Sequence, residues 1–188
     1  MGYEIESRER FELIYAQYEQ RVLAYALRRA AVEVAKDAVA ETFLTAWRRF
    51  EELPADPLPW LIAATRRTLA NQRRSIGRQV LLAERLAQER QPDPGGEGVD
   101  AGDAELVRAA FATLTVEERE VLALIAWDGL TAAQAARSLR CTAVAYRVRL
   151  HRARRRLADA LHELDSAAAD PPPSVSEQRP KLGQELPR

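Results

Sequence analysis

Cysteine and histidine are nearly missing from this chain of 188 residues, which has one Cys, Cys141, and two His. A lone cysteine forms no internal disulfide, and this set is too small for a Cys/His zinc site, so neither a metal nor any other cofactor is expected. No glycine-rich phosphate loop is present, and no Ser, Cys or carboxylate pair stands beside a usable His; an enzyme is the least supported class. Long apolar runs are missing as well. The longest, Val121–Trp127, falls far short of the ~20 residues that span a bilayer, and the charged N-terminus lacks a signal-peptide core. The expectation is a soluble, cytoplasmic protein with no membrane insertion. Net charge is zero too: Lys+Arg and Asp+Glu both total 28. That excludes a uniformly basic coat and a disordered polyelectrolyte, but not a local basic patch, because charge acts over about a Debye length of ~8 Å. Aromatics supply only 6%, so a core must be built from Ala, Leu and Val around a few large anchors.

Gly and Pro punctuate helices, and here they cluster. No Gly or Pro occurs from Tyr3 to Leu53, only Gly77 interrupts Trp60–Gln91, and only Gly129 interrupts Asp103–Asp170. These stretches are rich in Ala, Leu, Arg and Glu, the strong helix formers, and none alternates as a strand would. The reading is an all-α chain of two small helical domains, residues 10–78 and 106–165. A flexible acidic linker, 79–105, joins them, and a Pro-rich tail, 166–188, follows and is expected to be disordered.

Charge is segregated along the chain. Residues 91–105 hold Asp93, Glu97, Asp100, Asp103 and Glu105 and no basic residue. From Gly129 to Ala158 there is no acid, while Arg137, Arg140, Arg147, Arg149, Arg152, Arg154, Arg155 and Arg156 fall in that window. A solvated surface helix ordinarily mixes both signs to gain i,i+4 pairs, so this window reads as an anion-binding face. Two capping-box signatures precede it: Thr115 with Glu118, and Thr131 with Gln134. Gly129 suits the end of the first helix. A short second helix ends near Leu139, and a turn at Arg140, Cys141 and Thr142 leads into a third, which makes a helix-turn-helix. In that third helix Tyr146, Leu150, Ala153 and Leu157 make one apolar stripe. Arg147, His151 and Arg154 form a stripe on the other side, with Val148, Arg152 and Arg155 beside it. Side chains so displayed are what a recognition helix needs: some reach base edges and others hold phosphates.

The run Arg147-Val148-Arg149-Leu150-His151-Arg152-Ala153-Arg154, after Leu130-Thr-Ala-Ala-Gln-Ala-Ala-Arg-Ser-Leu139, resembles the helix-turn-helix of bacterial sigma factors of the extracytoplasmic-function type, in the sigma-70 family. The resemblance implies a domain that binds the promoter's minus-35 element, with base and phosphate contacts on Arg147, Val148, His151, Arg152 and Arg154. A recognition helix reads bases with its N-terminal turns, so Arg155 and Arg156, further along, are expected as phosphate contacts. Arg140 stands where that family commonly has a turn glycine.

Earlier in the chain, Asp37-x-x-x-Glu41-Thr-Phe-x-x-Ala-Trp47 is amphipathic, with Val39, Phe43, Ala46, Trp47 and Phe50 expected in the core and Asp37, Glu41 and Arg48 outward. Phe11, Leu13, Ile14, Tyr18, Val22, Leu23 and Tyr25 are expected to supply the core face of the first helix. The Asp37–Trp47 segment is similar to the family's polymerase-docking helix, which places that contact on Asp37, Ala40, Glu41 and Leu44. A proline-stiffened loop at Pro54, Pro57 and Pro59 precedes a helix from Trp60 with basic Arg66, Arg67, Arg73 and Arg74 and with Asn71. Cationic tracking of this kind suits single-stranded DNA, and the resemblance assigns loop and helix to the minus-ten element; Trp60 reads as a core anchor.

The resemblance covers roughly residues 10–165. It implies a non-enzymatic sigma factor that directs RNA polymerase to promoters and assists melting, with core polymerase, promoter DNA and an anti-sigma protein as partners. Free protein should bind DNA weakly, because its net charge is zero and its two readers are flexibly joined until polymerase fixes their spacing. The alternative is a stand-alone helix-turn-helix regulator whose N-terminal half dimerises or senses a signal.

Overall fold

The computed structural model describes residues 2–80 and 101–169, with side chains placed for 7–74 and 104–167. Most of the sequence called linker and tail, residues 81–100 and 170–188, lies outside the described residues. Among the described residues there are seven α-helices: α1 (Gly2–Leu27), α2 (Val32–Arg48), α3 (Leu58–Val80), α4 (Ala101–Thr113), α5 (Val116–Ala126), α6 (Ala132–Ser138) and α7 (Ala143–Ala169). A 3-10 turn, Phe50–Glu52, links α2 to the proline loop. No strand occurs among the described residues. Helix α4 begins inside the segment read as linker, and α7 runs past the start of the segment read as tail.

Helices α1, α2 and α3 pack on one another around Val22, Tyr25, Ala35, Ala38, Phe43, Ala46, Leu58, Leu61 and Ile62, all at most 3% exposed. The small alanines let the helices approach closely. At the α2–α3 crossing the hydroxyls of Thr42 and Thr65 meet at 3.1 Å. Thr42 Oγ1 lies 2.7 Å from the Ala38 carbonyl and Thr65 Oγ1 lies 2.9 Å from the Leu61 carbonyl; with one proton each, one hydroxyl donates back to its own helix while the other donates across the crossing, so both oxygens are partnered. Two apolar residues depart from expectation. Leu13 is 70% exposed and Trp47 is 42% exposed: Leu13 lies about 200° around α1 from Phe11, whose side faces the core, and the Phe11 ring stands edge-on to Trp47 at 5.1 Å and to Phe43 at 6.5 Å. Helix α3 starts at Leu58 rather than Trp60, with Pro59 in its first turn, where a missing N–H costs no intrahelical bond.

Helices α4 to α7 form the second cluster, around Phe111, Leu114, Val121, Leu124, Leu130, Ala135, Ala136, Tyr146 and Ala153, each at most 5% exposed. Both capping boxes are formed. Thr115 Oγ1 accepts from the Glu118 N–H while Glu118 accepts from the Thr115 N–H, and Thr131 and Gln134 repeat the exchange. Gly129 (φ 63°) makes the α5–α6 corner in the left-handed region that favours glycine.

Arg140, in the α6–α7 turn, also has positive φ, 54°. A non-glycine residue in that conformation carries strain of about 1 kcal/mol. Glycine there relieves the strain and returns part of the gain as unfolded-state entropy. Arg140→Gly should therefore raise the melting temperature slightly, and Arg140→Val, β-branched, should lower stability by about 1 kcal/mol or more. Thermal unfolding of both variants checks this; the opposite order would contradict a strained turn.

Candidate nucleic-acid interface

Thr142 opens α7, its hydroxyl accepting from the Ala145 N–H at 3.1 Å. Tyr146, Leu150 and Ala153 are buried and Leu157 is half-buried against the core. The Tyr146 hydroxyl donates to the Val121 carbonyl of α5 at 2.7 Å; burial, then the Glu120 charge, pushes its pKa up, so it remains a donor. With that stripe committed inward, a helical step of about 100° sets every other position. Val148, Arg152 and Arg155 stand opposite the core, Arg147, His151 and Arg154 lie on one flank, and Arg149 and Arg156 lie on the other. All eight are exposed. The Arg147 stripe is thus lateral rather than diametrically opposed to the core.

The last arginines differ from the first. Arg155 has Asp159 one turn on, at 4.0 Å, and Arg156 pairs with Glu118 at 2.8 Å. Glu118 therefore serves two ends, capping α5 and tethering α7. Partial burial raises its pKa, but the Thr115 hydrogen bonds and the Arg156 charge outweigh burial and hold the carboxyl below its usual range.

On α3, Arg66, Arg67, Asn71, Arg73 and Arg74 are all exposed. Arg73 nonetheless donates to the Arg29 carbonyl at 2.7 Å and Arg74 to Asn71 Oδ1 at 2.6 Å, so three of the five are engaged within the chain. On α2, Asp37, Ala40, Glu41 and Leu44 follow i, i+3, i+4, i+7 spacing and are all exposed in one strip. Among the described residues no helix is long and apolar enough to cross a membrane.

Two family models match this chain, in chain order: sigma-70 region 2 over residues 14–79 and sigma-70 region 4 over residues 104–157. The chain belongs to the sigma-70 family. A curated relative, the "Probable RNA polymerase sigma factor RfaY" of Xanthomonas campestris pv. campestris, is 30% identical over 154 residues, which is 77% of this chain and 38% of that protein. The chain thus spans well under half the length of the curated relative it matches. The fold is shared with the sigma factor RpoE solved in complex with the anti-sigma factor NepR from Bartonella quintana, with TM-score 0.63 and 24% identity over 82% of this chain and 98% of that one. It is shared also with CnrH in complex with the cytosolic domain of CnrY, with TM-score 0.52 and 21% identity over 83% of this chain and 90% of that one.

Region 2 and region 4 of this sigma-70 family protein do not stand apart: they meet along a charged seam. Arg29, in the turn just after α1, is 7% exposed. Its Nε donates to Glu120 Oε2 at 2.8 Å and its Nη2 to Asp128 Oδ2 at 2.9 Å, and its guanidinium lies 3.6 Å from the Tyr25 ring centroid. Tyr25 donates to Glu120 Oε1 at 2.9 Å; burial and the Glu120 charge raise its pKa well above the usual phenol value. Arg28 pairs with Asp128 Oδ1, and Arg21 donates to the Asp128 carbonyl at 3.2 Å. At a second point Asp56, in the proline loop of region 2, accepts from the Gln134 side-chain amide at 3.1 Å and pairs with Arg137, both on α6. A cavity of about 460 Å³ lies between these points, lined in part by Arg66, Arg67, Arg73 and Arg140.

None of the seam residues was singled out from sequence as a contact. Tyr25 and Arg29 carry an i,i+4 spacing, but their partners lie 95 and 91 residues away, and no local pattern encodes that distance.

Proposed function

We propose that the chain is a sigma factor of the extracytoplasmic-function type, acting in the cytoplasm, that directs RNA polymerase to specific promoters and assists their melting. The observation that carries this reading is the presence of regions 2 and 4 in order, with an acid-free arginine face exposed on the last helix of a capped helix-turn-helix. In this reading α7 reads the minus-35 element with Arg147, Val148, His151 and Arg152, while Arg154, Arg155 and Arg156 bind phosphates. The α3 helix with its proline loop takes the minus-ten strand through Arg66, Arg67, Asn71, Arg73 and Arg74. The Asp37–Leu44 strip docks on core polymerase, and an anti-sigma protein restrains the whole, as NepR is bound to RpoE in the structure that shares this fold.

In vitro transcription of a genomic library with core polymerase and this protein tests the reading. Discrete start sites that need both components are expected. A footprint formed without polymerase, and no added transcripts, would instead indicate a stand-alone regulator. Melting has its own signature. Replacing Arg66, Arg67 and Asn71 with Ala removes three contacts of ~1 kcal/mol each, enough for a loss of about tenfold or more on duplex promoters. Promoters carrying a pre-melted bubble should lose much less; equal loss on both templates would contradict a melting role.

A further inference from the structure

Two valines on α7 contribute little to the core. Val144 is 65% exposed and Val148 is 45% exposed, and among the described residues of that helix no other large apolar side chain is exposed. Each lies two residues from Tyr146, hence about 200° round the helix from it. The pair therefore sits one turn apart on the line opposite the buried stripe. His151 and Arg155 continue that line, and Arg147 and Arg152 stand to either side of it. Helix propensity does not account for the choice, because valine is a weaker helix former than alanine or arginine.

The surroundings of the pair indicate what covers it. The surface is cationic, with no acid from Gly129 to Ala158, so a second copy of the chain would bring arginine against arginine. A polyanion fits, and the apolar groups that a DNA duplex offers in its major groove are the C5-methyl groups of thymine. Recognition helices read bases with their N-terminal turns. Val144 and Val148 occupy the first two turns of α7, and the polar residues of their line come only later. An alkyl group at a base edge also discriminates by what it lacks. Set against adenine N7, guanine O6 or the cytosine amino group, valine excludes water and offers no partner, which leaves the polar group unmet.

We propose that Val144 and Val148 each read a thymine by its methyl group, so that the minus-35 element of this chain holds two T·A pairs recognised by apolar packing. Four residues of helix rise about 6 Å and stacked bases about 3.4 Å, which sets the two thymines about two base-pair steps apart or closer. Val144 thereby joins the base-reading set. Specificity is divided along the helix, with guanine taken by Arg147 and thymine by the valines. The inference rests on reading α7 as the minus-35 helix.

Deoxyuridine lacks the thymine methyl and keeps every hydrogen-bonding group, so it isolates the contact. A promoter-variant library transcribed by core polymerase with the full chain first defines the minus-35 element. Each thymine of that element, on either strand, is then replaced singly by deoxyuridine, and the affinity of the holoenzyme for the duplex is measured. Two positions should lose about two- to fourfold, the worth of one buried methyl group, and the other thymines should lose nothing comparable. In Val148→Ala the penalty at one of the two should disappear while the other persists, and Val144→Ala should do the reverse. Alanine is the better helix former, so both variants keep the fold. An element without thymine, no deoxyuridine penalty at any position, or penalties that survive both substitutions would overturn the proposal. Loss of polymerase binding by either variant would place the valines on a protein and overturn it as well. If the library yields no transcript that depends on the chain, the sigma-factor reading falls. The same cycle on duplexes that the chain alone selects from a random pool then decides the methyl contacts; selection of no duplex, or of none with a coupled penalty, overturns them.

Discussion

Glu41→Lys is expected to abolish co-purification with core RNA polymerase while far-UV helicity stays unchanged. Glu41 lies in the middle of the exposed α2 strip, one turn from Asp37 and beside Leu44, which is 48% exposed. The buried face of the same helix is carried by Ala35, Ala38, Val39, Thr42, Phe43 and Ala46, none of which the substitution touches. Reversing an exposed charge alters the fold by a few tenths of a kcal/mol. Across a docked surface, the same reversal sets a cation where a complementary partner presents one, and like-charge juxtaposition costs several kcal/mol. A loss of two or more orders of magnitude in affinity follows. Undiminished pull-down of polymerase by Glu41→Lys would remove α2 as the docking helix.

Arg147→Ala and Arg156→Ala should part company on a promoter-variant library. Recognition helices read bases chiefly with their N-terminal turns. Arg147 is in the second turn of α7, while Arg156 is two turns further on and already paired with Glu118. Losing a bidentate Arg–guanine pair costs about 1–3 kcal/mol at that base, and losing a phosphate contact weakens all sequences alike and lowers the salt slope by about one. Arg147→Ala should therefore relax preference at one minus-35 position. Arg156→Ala should leave the preference order intact; because it also frees a carboxylate from its partner, a small loss in melting temperature should accompany it. Transcription of the library at two salt concentrations reads both effects. Uniform loss across promoters with Arg147→Ala would make it a phosphate clamp and displace the proposed docking of α7.

Local order was legible in the sequence because local chemistry determines it. The two Thr-x-x-Glu/Gln boxes, the Gly129 corner and the Tyr146–Leu150–Ala153 stripe each depend on residues within a turn or two of one another. The exposure of Leu13 and Trp47 departs from the expected core. Leu13 falls off the Phe11–Ile14–Tyr18–Val22–Tyr25 series that a helical step turns inward, and Trp47 shares its space with the Phe11 ring, which packs edge-on against it. The lateral setting of Arg147 follows from a phase of about 100° per residue, which a simple two-sided division of the helix blurs. Least legible was the seam. Arg29 reads as one arginine among many, and its role arises only when Glu120 and Asp128 are brought to it across the fold.

The hydrogen bond from Tyr146 to the Val121 carbonyl acts as an index pin for the recognition helix. A helix gripped only by Leu150, Ala153 and Leu157 could roll on its bed, since aliphatic contacts are not directional. The phenol tip has one acceptor to find, and finding it fixes the roll. A slip of one residue would turn α7 by about 100° and bring Val148 to the bearing that Arg147 now holds. In the proposed docking of α7, the outward side chains supply the letters, and a buried tyrosine keeps the page from turning.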